Sequence, residues 1–368
     1  MKIKQMCMLV LLWLGVIPAM QAQTFDKLWK EVEQAEKKSL PQTVIKLTGE
    51  IYQKGEMEKN SPQMLKAYMW RMKYRDMLTP DSLYTGLQEL KQWAKQADKP
   101  MDRAILHSLI AGMYADYAAN NQWQLRQRTE IAGEAPSADM REWTANMFVE
   151  KVRTNVKEAM ADSVLLLNTS SRTYIPFVEL GETSEYYHHD MYHLLASRSI
   201  EALQRIQGLD RTTPIEAYSE ETSSEKESLV KQDIERIYDQ MLTSYKAKGD
   251  KEGCLLTSLN YLNWKHGTSK SFREPFRVKK GGTYMTFDPY ETGLDALKTE
   301  YKSLDLCAEV YLAQANNAIG KEQETVALQL CDEAIRLYPG YRRINALKNL
   351  REDILAPSLN LSLIHISE

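Results

Sequence analysis

Amphipathic segments with a helical period follow one another along most of the chain, and this periodicity limits the fold more than any other feature. Phe25, Leu28 and Val32, for example, lie at the spacing that places apolar side chains on one face of a helix. Ser61-Pro62 marks a helix start, because a hydroxyl can cap the first turn and proline at the first helical position lacks an N–H that would have no partner anyway. Helices joined by short polar loops pack as antiparallel hairpins, so we predict an all-α fold built as a bundle or an α-solenoid.

Two stretches of the sequence allow more specific structural predictions. Residues 139 to about 168 keep a helical pattern throughout and predict one long helix. Residues 276–287 instead alternate apolar and polar side chains around Gly281-Gly282, which predicts a small β-hairpin insertion, since paired glycines can supply the positive φ of a tight turn.

Composition agrees with a helical protein and excludes several function classes. The 368 residues include only 16 glycines and 12 prolines, fewer than a turn-rich all-β protein needs. The formal net charge is −3, so we expect no nucleic-acid partner. The basic side chains near the predicted hairpin are expected to be solvated.

Residues 1–22 are predicted to be a secretory signal peptide. Lys2 and Lys4 precede an apolar run over residues 6–17, and Ala22 supplies a small residue at the expected cleavage point. The alternative is an uncleaved membrane anchor, but a bilayer span needs roughly 20 apolar residues. We therefore expect export to the periplasm or cell envelope and no transmembrane span in the mature chain.

Three cysteines follow the predicted signal peptide, at Cys254, Cys307 and Cys331. Their number is odd and no Cys-x-x-Cys spacing occurs, so a disulfide framework is not indicated despite export. Cys307 and Cys331 lie at apolar positions of helical patterns and are predicted to be small core residues.

Residues 308–341 match the tetratricopeptide (TPR) pattern, a helical hairpin that repeats about every 34 residues. The pattern has small or aromatic side chains where two helices approach closely, and a proline that ends the second helix. The residues at those positions are Tyr311, Ala315, Ala318, Ala327, Cys331, Ala334 and Pro339. We predict a TPR-like unit whose neighbours are further helical pairs, because one such unit cannot bury its own apolar face.

The best candidate for catalysis is the stretch of histidines around Asp190. His189 and His193 are four residues apart, a spacing that places zinc ligands on one helix face, and Asp190 would stand where zinc peptidases carry a general base. No third ligand follows, so the alternative is a helix start at which histidines and aromatic side chains pack. We predict no enzyme, no cofactor and no metal, and keep a zinc hydrolase that uses His189 and His193 as a rival hypothesis.

Several stretches of the chain resemble the N-terminal helical region of large bacterial alpha-2-macroglobulin-family proteins. The resemblance covers most of residues 23–361 and is carried by residues 105–114, 174–180, 189–196, 303–313 and 338–348.

The resemblance implies that macroglobulin-like β-sandwich domains follow the helical region and that the whole protein inhibits peptidases by entrapment, in some members through a Cys–Gln thioester. Residues 356–361 resemble the first strand of such a domain, and residues 362–368 read as a non-native tail, so we interpret the chain as a fragment. The thioester motif Cys-x-Glu-Gln does not occur, and Cys254 is followed by Leu-Leu-Thr. Peptidases would therefore be partners only through the missing domains.

The predicted organisation is an N-terminal helical domain over residues 23–208, a linker or exposed loop over 209–228, and a second, TPR-like helical domain over 229–355. The predicted function is the scaffold or docking part of an exported alpha-2-macroglobulin-like peptidase inhibitor. The alternative is a free-standing TPR-like binding module of the cell envelope, which would bind protein or glycan in a groove lined by Trp and Tyr side chains.

Overall fold

The computed structural model describes residues 24–79, 82–128, 137, 139–184, 186–210, 228–280 and 283–356, which form an all-α fold with one small β-hairpin, as predicted. The predicted signal peptide, residues 211–227 of the predicted linker, and residues 357–368 lie outside the described residues. The predicted domain boundaries therefore stay predictions.

The chain divides into two compact units by its backbone contacts. The first contains the described residues up to Leu90 together with Thr173–Glu179, and the second contains the remainder. The helices of the first unit are α1 (Phe25–Lys37), α2 (Pro41–Met57), α3 (Ser61–Leu78) and the greater part of α4 (Ser82–Gln96), which continues into the second unit.

Helices α1, α2 and α3 share one core in the first unit. Leu28 and Val32 of α1 pack with Val44 and Ile51 of α2, and all four side chains are buried. The start of α3 differs by one residue from the prediction, because Asn60 and not Ser61 is the N-cap, its side chain accepting a hydrogen bond from the Gln63 N–H.

The second unit holds the remaining helices and the hairpin. The helices are α5 (Pro100–Asn120), α6 (Gln122–Gln127), α7 (Ala145–Ala159), α8 (Ser163–Leu167), α9 (Met191–Ile206), α10 (Leu229–Lys248), α11 (Lys251–Thr268), α12 (Lys270–Arg273), α13 (Pro289–Glu300), α14 (Ala308–Gly320), α15 (Glu324–Leu337) and α16 (Ile344–Leu355). From α9 onward, each long helix packs against the long helix that follows it, so neighbours along the chain are neighbours in space.

The prediction of one long helix over residues 139–168 is wrong, because polar side chains start new helices within it. Met140–Glu142 forms a 3-10 turn, and Thr144 then caps α7 by accepting a hydrogen bond from the Met147 N–H. Asp162 caps α8 in the same way. Side chains that bond their neighbouring backbone compete with helix continuation, and here that local effect outweighs the apolar periodicity.

The hairpin is confirmed as two antiparallel strands, β1 (Phe276–Lys280) and β2 (Thr283–Phe287). Phe276 pairs with Phe287 at the open end, and their rings lie 5.1 Å apart. The Gly281-Gly282 turn itself lies outside the described residues.

None of the helices in the described part of the chain combines the length and the apolar character that a membrane crossing requires.

Candidate functional site

The predicted TPR-like unit corresponds to α14 and α15, which pack against each other. Its six helical positions are all buried: Tyr311, Ala315, Ala318, Ala327, Cys331 and Ala334. Pro339 is exposed in the turn that follows the end of α15 at Leu337. The small side chains leave room for the two helix backbones to approach, and Tyr311 fills the space above them with its ring 5.9 Å from that of Tyr338.

A groove in the second unit runs across α9, α11 and α14. It consists of three adjoining cavities of about 540, 400 and 510 Å³. The first and second cavities share Asn260 and Asn263, and the second and third share Asn263 and Asn316, so the three form one continuous surface.

Each of the three helices contributes to the groove a row of side chains at positions i, i+4 and i+7, which lie on one helix face. These rows are Ser197, Glu201 and Gln204 on α9; Leu256, Asn260 and Asn263 on α11; and Glu309, Ala313 and Asn316 on α14. Every row ends on an amide side chain. The three helices therefore each place an amide at the end of the row that faces the groove.

The groove amides are exposed. Asn260 and Gln204 hydrogen-bond to the side chains of Tyr187 and Tyr238, whereas Asn263 and Asn316 keep hydrogen-bonding capacity. Asn263 accepts a hydrogen bond from the Tyr290 hydroxyl at 2.7 Å through its side-chain oxygen, while no hydrogen bond of its NH2 group to another described residue is found. The Asn316 amide forms no hydrogen bond with any other part of the described chain. An amide carries both a donor and an acceptor, so each of these side chains can pair with another amide.

Aromatic side chains form the walls of the groove and are themselves buried. Tyr187, Tyr238 and Trp264 each have less than a tenth of their surface exposed. The Tyr238 ring stacks on Tyr261 at 4.8 Å, and the Trp264 N–H donates to the Gln207 side chain at 3.1 Å. Packing within the protein thus occupies these rings.

Two histidines also line the groove. Nε2 of His188 lies 2.6 Å from the Ser197 hydroxyl, and burial lowers the pKa of His188 to about 3. His266 stacks on Tyr290 at 4.0 Å, and burial lowers its pKa as well. The groove therefore presents two neutral imidazole rings at neutral pH.

The predicted catalytic stretch forms a compact polar cluster next to the groove. Asp190 is the N-cap of α9, and its carboxylate accepts hydrogen bonds from the backbone N–H of His193 at 3.0 Å, from His193 Nδ1 at 2.8 Å and from Lys248 Nζ at 2.6 Å. Burial alone would raise the pKa of Asp190, but the hydrogen bonds from His193 and Lys248 outweigh it and lower the pKa to about 2. His193 is fully buried and stacks on Tyr245 at 3.7 Å.

The structure does not bring His189 and His193 together on one helix face. His189 precedes the N-cap and is exposed, whereas His193 lies inside α9. The expectation that both histidines share a helix therefore fails at the helix start, which Asp190 sets. Among the described residues, no group of three or more His, Cys, Asp and Glu side chains could hold a metal ion.

Sequence reasoning missed the groove amides. The signal was present as Asn or Gln at the last position of an i, i+4, i+7 row on three helices. Single asparagines on helices are ordinary surface residues, and only the packing of α9, α11 and α14 shows that these rows face one groove.

The chain matches no protein-family model, no curated protein and no solved structure. The resemblance to the alpha-2-macroglobulin family therefore stays a proposal.

Proposed function

We propose that this chain is a helical docking module that binds an extended polypeptide segment in the groove across α9, α11 and α14. The observation that carries the proposal is the line of exposed amides, formed by Gln204, Asn263 and Asn316 at the last position of the three rows and by Asn260 beside them.

Amide side chains match the main chain of a peptide. Each can donate to a peptide C=O and accept from a peptide N–H, which is the pairing that the main chain offers along its whole length. An extended peptide rises about 3.3 Å per residue and exposes these groups on both edges. A line of amides can therefore hold a segment without reading its side chains.

The buried state of the aromatic walls favours a peptide over a glycan. Sugar rings are commonly held against exposed faces of aromatic side chains, yet Tyr238 and Trp264 are less than 10% exposed, and the Tyr238 ring face is covered by Tyr261. Glycan binding stays the alternative, and it requires these rings to be uncovered.

At the level of the whole protein, we propose that the module is the N-terminal scaffold or docking part of an exported alpha-2-macroglobulin-like peptidase inhibitor. The sequence resemblance supports this proposal, and the all-α fold is compatible with it. The rival is a free-standing binding module of the cell envelope. The genomic reading frame beyond codon 361 distinguishes them: several hundred codons of β-sandwich pattern support the inhibitor, and an early stop codon contradicts it.

The first prediction concerns the amides themselves. We expect the double variant Asn263→Ala/Asn316→Ala to weaken the binding of fluorescein-labelled twelve-residue peptides by about five- to fiftyfold, because each lost amide removes hydrogen bonds worth roughly 0.5–1.5 kcal/mol apiece. The measurement is fluorescence anisotropy with peptides that alternate serine with lysine, threonine or glutamate.

The matched control is Asn349→Ala, which removes an exposed amide from α16, outside the groove. Peptides with N-methylated main-chain nitrogens should bind less tightly than their unmodified counterparts, because methylation removes the N–H. Equal binding by the double variant and the wild-type protein would contradict the proposed function.

A further inference from the structure

The cations along the groove are each outnumbered by carboxylates. Arg343 lines the middle cavity and Lys321 lines the third cavity, and these are the two cationic side chains that line the groove within the described residues. The carboxylates that pair with these two cations determine the sign of the electrostatic field that a bound peptide would meet.

At the middle position, Arg343 contacts two carboxylates. Its Nη1 lies 2.5 Å from Glu309, which also accepts a hydrogen bond from the Tyr341 hydroxyl, and its Nε lies 3.6 Å from Glu182. The side chain of Glu309 is only 12% exposed, so this carboxylate is held in place in the groove wall. One positive and two negative charges leave this position with an excess of one negative charge.

The third cavity repeats the arrangement. Lys321 Nζ lies 2.7 Å from Asp288 and 2.6 Å from Glu291. Burial alone would lower the pKa of Lys321, but its hydrogen bonds to Asp288 and Glu291 outweigh it and raise the pKa. Lys321 therefore stays charged, and this position also carries one excess negative charge.

Arg273 adds one positive charge at the edge of the first cavity, where its Nη2 donates to the backbone C=O of Gly267 at 3.0 Å. Glu201, at the first cavity, pairs with Arg198 at 2.8 Å. His188 and His266 have lowered pKa values and are neutral at pH 7. With Arg273 counted, one excess negative charge remains along the line of amides, and the two negatively charged positions lie at the cavities that Asn316 borders.

We propose that the groove selects a basic segment, an extended peptide whose lysine or arginine side chains reach Glu182 and Glu291 while its main chain pairs with the amides. This inference rests on the proposed function and adds the chemistry of the partner. Glu182 and Glu291 are the exposed members of the two charged positions, with 75% and 49% of their side-chain surface exposed, so a partner cation can reach them.

The test compares the three peptides of the binding assay. We expect the serine–lysine peptide to bind about three- to tenfold more tightly than the serine–threonine peptide, and the serine–glutamate peptide to bind most weakly, because an exposed ion pair contributes up to about a fivefold gain in affinity. The preference should shrink at 0.5 M salt, since screening weakens exposed ion pairs.

The variant Glu182→Gln/Glu291→Gln should lower the affinity for the serine–lysine peptide toward that for the serine–threonine peptide. The matched control is Glu150→Gln/Glu158→Gln, which changes the net charge equally at exposed positions of α7. Equal binding of all three peptides, or the same loss in both double variants, overturns the basic selectivity and leaves peptide binding standing. Failure of every peptide to bind overturns both proposals.

Discussion

Asp190 holds the start of α9 through partners on two helices. His193 donates both its backbone N–H and its ring N–H to this carboxylate, and Lys248 at the end of α10 adds an ion pair. Because the Asp190 side chain is only 11% exposed, its charge would be costly without these partners. The histidine that sequence spacing suggests as a metal ligand is thus held by a helix cap and an aromatic stack.

We predict that Asp190→Asn lowers the free energy of unfolding by about 2 kcal/mol at pH 7, because a pKa lowered to about 2 in the folded state corresponds to that much stabilisation by the charged form. Asparagine still caps helices well, so the loss comes from the ion pair and the ring hydrogen bond. Urea denaturation of the two proteins measures the difference.

The pH dependence of that difference follows from the direction of the shift. A lowered pKa stabilises the fold above the unfolded value of about 3.9, and the contribution is lost as the pH falls toward about 2. The two proteins should therefore converge in stability between pH 4 and pH 2. A stability difference that stays constant over this range would contradict the role of the Asp190 charge. The control is Asp239→Asn, at an exposed position of α10.

At the scale of elements, Gly253 at the start of α11 packs directly against the Tyr245 ring near the end of α10. A Cβ atom at Gly253 would lie 2.4 Å from Cδ1 and from Cε1 of the Tyr245 ring, closer than real atoms come. The ring is buried and stacks on His193, so it has little room to move. The glycine therefore sets how closely these two helices pack.

We predict that Gly253→Ala destabilises the protein by about 1–3 kcal/mol, the usual cost of inserting a methyl group into a packed core. Gly267→Ala, in the same helix, is the matched control. No atom lies within 4 Å of a Cβ at Gly267, so alanine there should stabilise the helix by up to about 1 kcal/mol. Thermal unfolding of the two variants gives shifts of opposite sign; a neutral Gly253→Ala would show that Tyr245 can move.

The positions of helices and strands could be predicted where the apolar periodicity and the capping or turn residues indicate the same boundaries. The helix predicted from Ser61-Pro62 and the hairpin at residues 276–287 occur in the structure because local signals and packing favour the same conformation. The stretch over residues 139–168 could not be predicted as it is, since Thr144 and Asp162 start new helices while the apolar period continues across them.

At the scale of the whole molecule, stability comes from helix packing without covalent links among the described cysteines. Cys254, Cys307 and Cys331 are free thiols and are buried. Burial raises the pKa of each thiol, which lowers the fraction of reactive thiolate. The prediction that Cys307 and Cys331 are core residues is confirmed.

We predict that a chain starting at residue 23 shows no reaction of these three thiols with Ellman's reagent while folded, and full reaction in 6 M guanidinium. A reducing agent should leave the melting temperature unchanged, because the described cysteines form no disulfide. Rapid labelling of the native protein would show that a helix hairpin opens locally. Cysteine-to-serine variants would then identify the exposed thiol.

The groove could not be predicted, although its residues are visible in the sequence. The amides of α9, α11 and α14 are far apart along the chain, and their shared orientation depends on how the intervening helices pack. The all-α fold class and the TPR-like hairpin can be predicted from the spacing of residues along the sequence. A binding surface built from several hairpins depends on how those hairpins stack.

The amide rows affect which natural ligands can bind in the groove. A surface that recognises backbone groups tolerates many residue substitutions in its target, provided that the target is unstructured enough to lie open before binding. Such a ligand loses conformational freedom on association, so its affinity per contact is modest and its exchange rapid. Tails and interdomain loops meet this requirement better than folded surfaces, and their sequences can drift without losing the interaction.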